Sequence, residues 1–305
     1  MVNLRLLQAN RFPSSSNLMW CLQTIQVYIG DIDAPVDIWN MSQLRHVSFW
    51  RDGQLHLLDH PSDSMVIMEN LQTLKGVNNF KCNEMMLRKI PNIKKLCIVY
   101  SRSDQSDDDY CFYNIERLQK LESFACFDYP SDDFRKLTFP YTLEKLNLRM
   151  SSNNCIEDIL EKASALPLLQ KLKLYGGDST TGKWETAEGQ FLSLKYLSLS
   201  HCHQLECWTT ESSHFPCLEQ LLLWGMHLKE IPAELGEIPT LKSVVLRECN
   251  ESVVKSAKRM VEEQEELQGE EQLSFKVDVL LSKENSELQS LANLNFQVTA
   301  HKKRD

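Results

Sequence analysis

The chain has 305 residues, 42% of them hydrophobic, enough apolar material for one elongated array or about two ordinary domains, and this excludes a disordered chain. Its net charge of -9, from 42 Asp and Glu against 33 Lys and Arg, argues against general affinity for nucleic acid or anionic membranes, and no apolar run is long enough to cross a bilayer. The ten cysteines form no C-x-x-C pair and the opening MVNLRLLQANRFPSSS lacks a signal-peptide core, so reduced thiols in a reducing compartment are expected.

The chain starts almost inside a strand pattern, Val2, Leu4, Leu6 and Leu7, with no polar cap. A stacked array needs capped ends, so this start is expected of a fragment, a truncated gene product, or a chain that another domain once preceded. Degenerate copies of one phrase follow at Leu22, Leu44, Leu71, Ile93 and Leu121. The phrase becomes regular as LEKLNL (143–148), LQKLKL (169–174), LKYLSL (194–199), LEQLLL (218–223) and LKSVVL (241–246). Ten anchors recur at intervals of 22 to 28 residues, the window of leucine-rich repeats. An apolar residue and often a proline precede them, as in FPCL at 215–218 and IPTL at 238–241. Cys202 and Cys249 fall at the repeat's N/C position.

Each unit is too small to bury its own apolar face, so neighbours must stack. The predicted fold is an α/β leucine-rich-repeat solenoid, a curved horseshoe with a parallel sheet on its concave face and irregular or short helical convex segments. In x-L-x-L-x the leucines point inward and the x residues face solvent. The exposed positions are then Tyr28, Trp50, Lys95, Phe127, Lys145, Arg149, Lys171, Lys173, Tyr175, Tyr196, Trp224 and Arg247. Large aromatics and arginines on an open sheet supply binding hot spots, and the basic middle repeats suit an acidic protein surface. The competing reading is that some aromatics only pack along the sheet.

Three local patterns suggest other chemistry. SRSDQSDDD (101–109) is acidic but lacks the central glycine and terminal glutamate of a calcium loop. GGDSTTGKW (176–184) reads G-x-x-x-x-G-K from Gly177, nearly a phosphate loop. Trp184 stands where that loop needs Ser or Thr, and no clear helix follows, so a tight turn leaving the strand is the better reading. His201, Cys202, His203 and Cys207 lack the paired spacing of a zinc site, and Cys202 is expected to tie down its turn. The sequons at Asn40 and Asn250 arise at about the chance rate and matter only in a secreted chain.

Repeats are expected over 1–250. ESVVKSAKRMVEEQEELQ (251–268) reads as an amphipathic helix with Val253, Val254, Ala257 and Met260 on one face, and LSFKVDVLL (273–281) as a final strand. Together 251–281 would cap the array, and 282–305 would be a loosely held polar tail.

The phrases LQTL at 71–74, LQKLKLYGG at 169–177, FPCLEQL at 215–221 and the ending SAKRMVEEQEE at 256–266 resemble the leucine-rich-repeat region of plant intracellular immune receptors. These are the coiled-coil, nucleotide-binding class, late-blight-resistance group. The resemblance covers about residues 1–275 and implies recognition of a pathogen effector or guarded host protein in the cytoplasm, or peripherally at membranes. It also implies an autoinhibitory contact between the N-terminal repeats and a nucleotide-binding domain, with Tyr196, Trp224 and Arg247 meeting the effector. That domain and the coiled coil are not in this sequence. ATP or ADP is expected only in the former, and no cofactor, metal, catalytic residue, nucleic acid or integral membrane segment is expected here. The alternatives are a substrate-recruiting subunit of a ubiquitin ligase, which would need a further helical motif, a secreted receptor ectodomain, which would need a signal peptide, and an enzyme using the Gly177–Lys183 loop.

Overall fold

A computed structural model of the chain describes residues 4–10, 21–28, 37–49, 55–57, 66–100, 110–128, 136–151 and 154–300. Trp50, the acidic run 101–109 and the final 301–305 lie outside the described residues. The chain falls into two compact units, Met1–Leu143 and Glu144–Asp305.

In the first unit, β1 (Leu6–Ala9), β2 (Thr24–Val27), β3 (His46–Phe49), β5 (Thr73–Asn78), β6 (Lys95–Val99) and β7 (Ser123–Phe127) lie side by side in chain order, all parallel. The two-residue β4 (Leu55–His56) pairs with the far end of β5. The β5–β6 register slips at Gly76, whose φ of +78° and close approach to the Phe49 carbonyl (2.6 Å from a would-be Cβ) admit no side chain. One short helix, α1 (Glu84–Lys89), is capped by Asn83, which accepts from Met86 N at 2.9 Å.

In the second unit, β8 (Lys145–Arg149), β9 (Lys171–Tyr175), β11 (Tyr196–Ser200), β13 (Gln220–Trp224), β14 (Ser243–Arg247), β15 (Lys276–Leu281) and β16 (Phe296–Ala300) form the same kind of sheet. Leu146, Leu172, Leu197, Leu221, Val244, Val277 and Phe296 share one rung, and Leu148, Leu174, Leu199, Leu223, Leu246 and Val279 share the next. All of these are 0–2% exposed. Each buried leucine contributes roughly 1.5–3 kcal/mol, and stacking lets every repeat complete its neighbour's core.

The repeat turns have one cause. The N–H of each anchor from Leu44 onward donates to a carbonyl three residues earlier, for example Leu218 to Phe215 (3.2 Å) and Leu241 to Ile238 (3.1 Å). The residue accepting that bond is buried, and after Ile90, Leu166, Phe215 and Ile238 proline sits next, where a turn fixes φ near its own value. All ten sequence anchors are 0–1% exposed. This is the leucine-rich-repeat arrangement.

On the return side, α2 (Ile156–Ser164) follows β8, and a second small sheet pairs β10 (Lys183–Glu185) with β12 (Cys207–Thr209). That pairing brings Trp184 onto Trp208, centroids 4.7 Å apart, beside the stacked Phe191 and Phe215. Helix α3 (Glu251–Gln268) buries the four residues expected on its inner face, at 0–1% exposure. Gly236 lets α3 approach, since a Cβ there would lie 2.9 Å from Met260 Cγ.

The expected polar tail is corrected at 286–300. A short helix, α4 (Ser286–Gln289), leads into β16, which adds a further parallel strand beyond β15. The cause is a set of side-chain ties to α3. Glu265 accepts from Asn293 (3.0 and 3.1 Å) and Asn295 (2.8 Å), and Lys255 pairs with Glu287 at 2.8 Å.

Candidate interaction surface

The alternation that sends the leucines inward leaves three rows on the open face of the second sheet. The first runs Lys145, Lys171, Tyr196, Gln220, Ser243 and Lys276. The central row runs Asn147, Lys173, Ser198, Leu222, Val245 and Asp278. The third runs Arg149, Tyr175, Ser200, Trp224, Arg247 and Leu280.

The register thus gathers eight of the sequence-derived positions onto five adjacent strands of one unit, β8, β9, β11, β13 and β14. Lys145, Arg149, Tyr175 and Arg247 are exposed, while Lys171, Lys173 and Tyr196, which lean on one another, and Trp224, which leans on His201, are half-buried. Lys171 Nζ sits 4.3 Å from the Tyr196 ring centroid, Lys173 Nζ 5.4 Å from the same ring, and the Arg149 guanidinium 5.0 Å from Tyr175. Burial, then the neighbouring charges of Lys173 and Lys145, push the Lys171 ammonium below the ordinary lysine value. Tyr28, Lys95 and Phe127 belong to the first unit. Tyr28 is exposed just after β2, its hydroxyl accepting from Gln8 Nε2 at 2.6 Å, while Lys95 opens β6 and a half-buried Phe127 closes β7.

Sequence reasoning missed His201. Its ring stands 5.0 Å from Tyr175 and 5.1 Å from Trp224, joining the aromatics of β9 and β13 into one ridge. The position after β9, β11, β13 and β14 holds a left-handed residue: Gly176 (φ +73°), His201 (+54°), Gly225 (+58°) and Glu248 (+51°). Gly225 leaves the space His201 fills, and Glu248 accepts from Trp224 Nε1 at 3.2 Å. Burial, then the neighbouring His203, lower the His201 pKa against the opposing pull of Glu248. Leu222 and Val245, half-exposed in the central row, were also missed, although they occupy x positions of the repeat.

The phosphate-loop-like segment has a different geometry from its motif. Gly176 and Gly177, at φ +73° and +83°, turn the chain out of β9, and Lys183 begins a strand where a phosphate loop has a helix. Several of its donors are taken up within the chain. Glu157, on α2, accepts from the Ser179 hydroxyl, from Thr181 N (3.2 Å) and Oγ1 (3.1 Å), and from Cys155 Sγ (3.1 Å). Gly182 N donates to Ser179 Oγ at 2.7 Å. Burial pushes the Glu157 carboxyl up, but these hydrogen bonds outweigh it and hold its pKa below the usual range.

Cys202 is buried and donates to the Gly176 carbonyl at 3.3 Å and the Ser200 carbonyl at 3.5 Å, the turn tie expected of the N/C position. Burial pushes its thiol up to about 12, so it stays protonated. None of the ten cysteines is joined in a disulfide. No helix among the described residues is long and apolar enough to cross a membrane.

No protein-family model matches the chain. The late blight resistance protein homolog R1B-16 of Solanum demissum is 32% identical over 276 residues, 85% of this chain and 20% of that protein. Homolog R1B-23 of the same species is 30% identical over 297 residues, 85% of this chain and 21% of that protein. A third late blight resistance homolog of that species is 31% identical over 272 residues, 84% of this chain and 34% of that protein. The chain therefore spans about a fifth to a third of the curated relatives it matches. A leucine-rich-repeat protein of Leptospira interrogans aligns over 97% of this chain and 89% of its own at TM-score 0.36 and 16% identity, too distant to carry the fold argument, which rests on the strand register. That register, and sequence identity running along most of its length, make this chain a leucine-rich-repeat relative of the late blight resistance proteins.

Proposed function

We propose that the open face of the second sheet recognises a protein partner in plant disease resistance, either a pathogen effector or a host protein that effectors modify. One observation carries this. Arg149, Tyr175, Trp224 and Arg247 line one row of a face that also shows Tyr196 and half-exposed Leu222 and Val245. Solvent-facing aromatics, arginines and aliphatics in one contiguous area are what an interface core needs. The role is binding without catalysis, and the site of action is the cytoplasm. In a full receptor of the relatives' length, repeats of the first unit would also contact a nucleotide-binding domain and restrain it, and ATP or ADP would bind there.

The test is a triple alanine variant at Tyr196, Trp224 and Arg247, expressed in leaf tissue in the setting of a full receptor. Loss of effector-triggered cell death at unchanged protein level is expected. Full response from the triple variant would place recognition elsewhere.

A further inference from the structure

Lys229, Lys242 and Lys255 of the second unit are matched to carboxylates, Glu206 at 3.0 Å, Glu219 at 2.5 Å and Glu287 at 2.8 Å. Lys145, Lys171 and Lys173 differ. They stand on two adjacent strands, Lys145 directly opposite Lys171, and among the described residues no ion pair holds any of them. The neighbouring charges that bear on Lys171 among the described residues are those of Lys173 and Lys145. Like charges placed opposite one another across strands cost stability, and a chain of net charge -9 has acidic residues to spare. Uncompensated cations gathered on an open face are complementary to an anionic partner.

The central row fixes the rest of the ligand. From Lys173 on β9 it passes Ser198, a small residue only 6% exposed, and reaches Leu222 on β13 and Val245 on β14. Two and three strand spacings put the aliphatic pair about 10–14 Å from the lysine, the reach of about three to four extended residues. Asp278 follows on β15, which disfavours further acid at that end.

Resting on the reading of this face as a recognition surface, we infer that its ligand is an extended acidic polypeptide segment crossing the strands. Carboxylates lie over Lys145, Lys171 and Lys173, and an aliphatic or aromatic side chain about three to four residues along covers Leu222 and Val245. The cations set on-rate and orientation, and the apolar contact holds the complex.

The test is selection of binders to the full chain from a displayed library of random peptides, each about twelve residues long so as to span the face. Selected peptides are then titrated against three variants: Lys145→Glu/Lys171→Glu/Lys173→Glu, the neutral Lys145→Gln/Lys171→Gln/Lys173→Gln, and Tyr196→Ser/Trp224→Ser. Thermal melts confirm that each variant folds. Acid-rich peptides with an apolar residue at the stated spacing are expected, losing at least about tenfold in affinity to the Glu variant, less to the Gln variant, and weakening with salt. Neutral or basic peptides that fail only on the Tyr196→Ser/Trp224→Ser variant would overturn the acidic ligand while leaving the recognition face intact. Peptides bound equally by every variant would overturn both. Acid-rich peptides displaced equally by inorganic phosphate and by free glutamate at low concentration would show a general anion site, and would also sink the inference.

Discussion

The carboxylate of Glu157 accepts the hydroxyl of Ser179, 22 residues further on, and with Thr181 fills the loop whose sequence imitates a phosphate cradle. The loop does hold an anion, and the anion belongs to the protein. Replacing Glu157 with Gln keeps the shape but removes the charge that four donors share. We expect a loss of about 1–2 kcal/mol, below the full range for charged hydrogen bonds because the site is partly open to water. The pH dependence has a definite sign. A carboxyl whose folded pKa is depressed contributes stability above its unfolded value, near ~4.3, and loses that contribution as pH falls through the folded one. Urea unfolding between neutral and acid pH checks this: the difference between wild type and Glu157→Gln should shrink as the pH drops, and a constant difference would assign the effect to packing.

Gly225 and His201 form a second such pair. A Cβ on Gly225 would lie 2.6 Å from His201 Nδ1, and the glycine's φ is +58°. Gly225→Ala should cost about 1–2 kcal/mol through backbone strain and displacement of the imidazole from Tyr175 and Trp224. Adding His201→Ala relieves the steric part only. Denaturant melts of both singles and the double variant should show the double less destabilised than the sum, and strict additivity would mean the ring never opposed the new methyl.

Glu265 ties the C-terminal strand to α3 through Asn293 and Asn295, the latter 3% exposed. Glu265→Ala leaves these amides short of an acceptor. Amide hydrogen exchange should speed up across 293–300, by roughly tenfold or more, with little change at β8 or β9. Unchanged protection at β16 would show that Phe296 and Val298 hold the strand without the clamp.

The repeat was legible because its anchors obey local rules: an apolar residue, often a proline, a leucine, then alternation. Leu143, Leu169, Leu194 and Leu218 needed no tertiary knowledge to place inside. The α3 face was legible for the same reason, since Val253, Val254, Ala257 and Met260 follow helical spacing. The end of the array was not. Between Ser243 and Lys276 the α3 helix stretches the period to 33 residues, and FQVTA at 296–300 has too weak an alternation to announce a strand. Its placement comes from Glu265, about thirty residues upstream. Of the surface, the register gave which residues face outward. It could not give the Tyr175–His201–Trp224 ridge, because that depends on a left-handed backbone at His201 and an empty Cβ position at Gly225. The Trp184–Trp208 stack was hidden likewise, since β10 and β12 are three-residue strands whose pairing is visible only in space.

The alternation on β13 offers the most direct measurement. Alanine is placed in turn at Gln220, Leu221, Leu222, Leu223 and Trp224, and each variant is assayed both for unfolding free energy and for affinity to a peptide selected on the full chain. We expect Leu221→Ala and Leu223→Ala to lose about 2–5 kcal/mol of stability, as buried rung residues do, and Leu222→Ala and Trp224→Ala to lose affinity with stability nearly unchanged. A stability loss centred on Leu222 and Trp224, or one spread evenly along the strand, would contradict the inward leucine rungs and with them the recognition face.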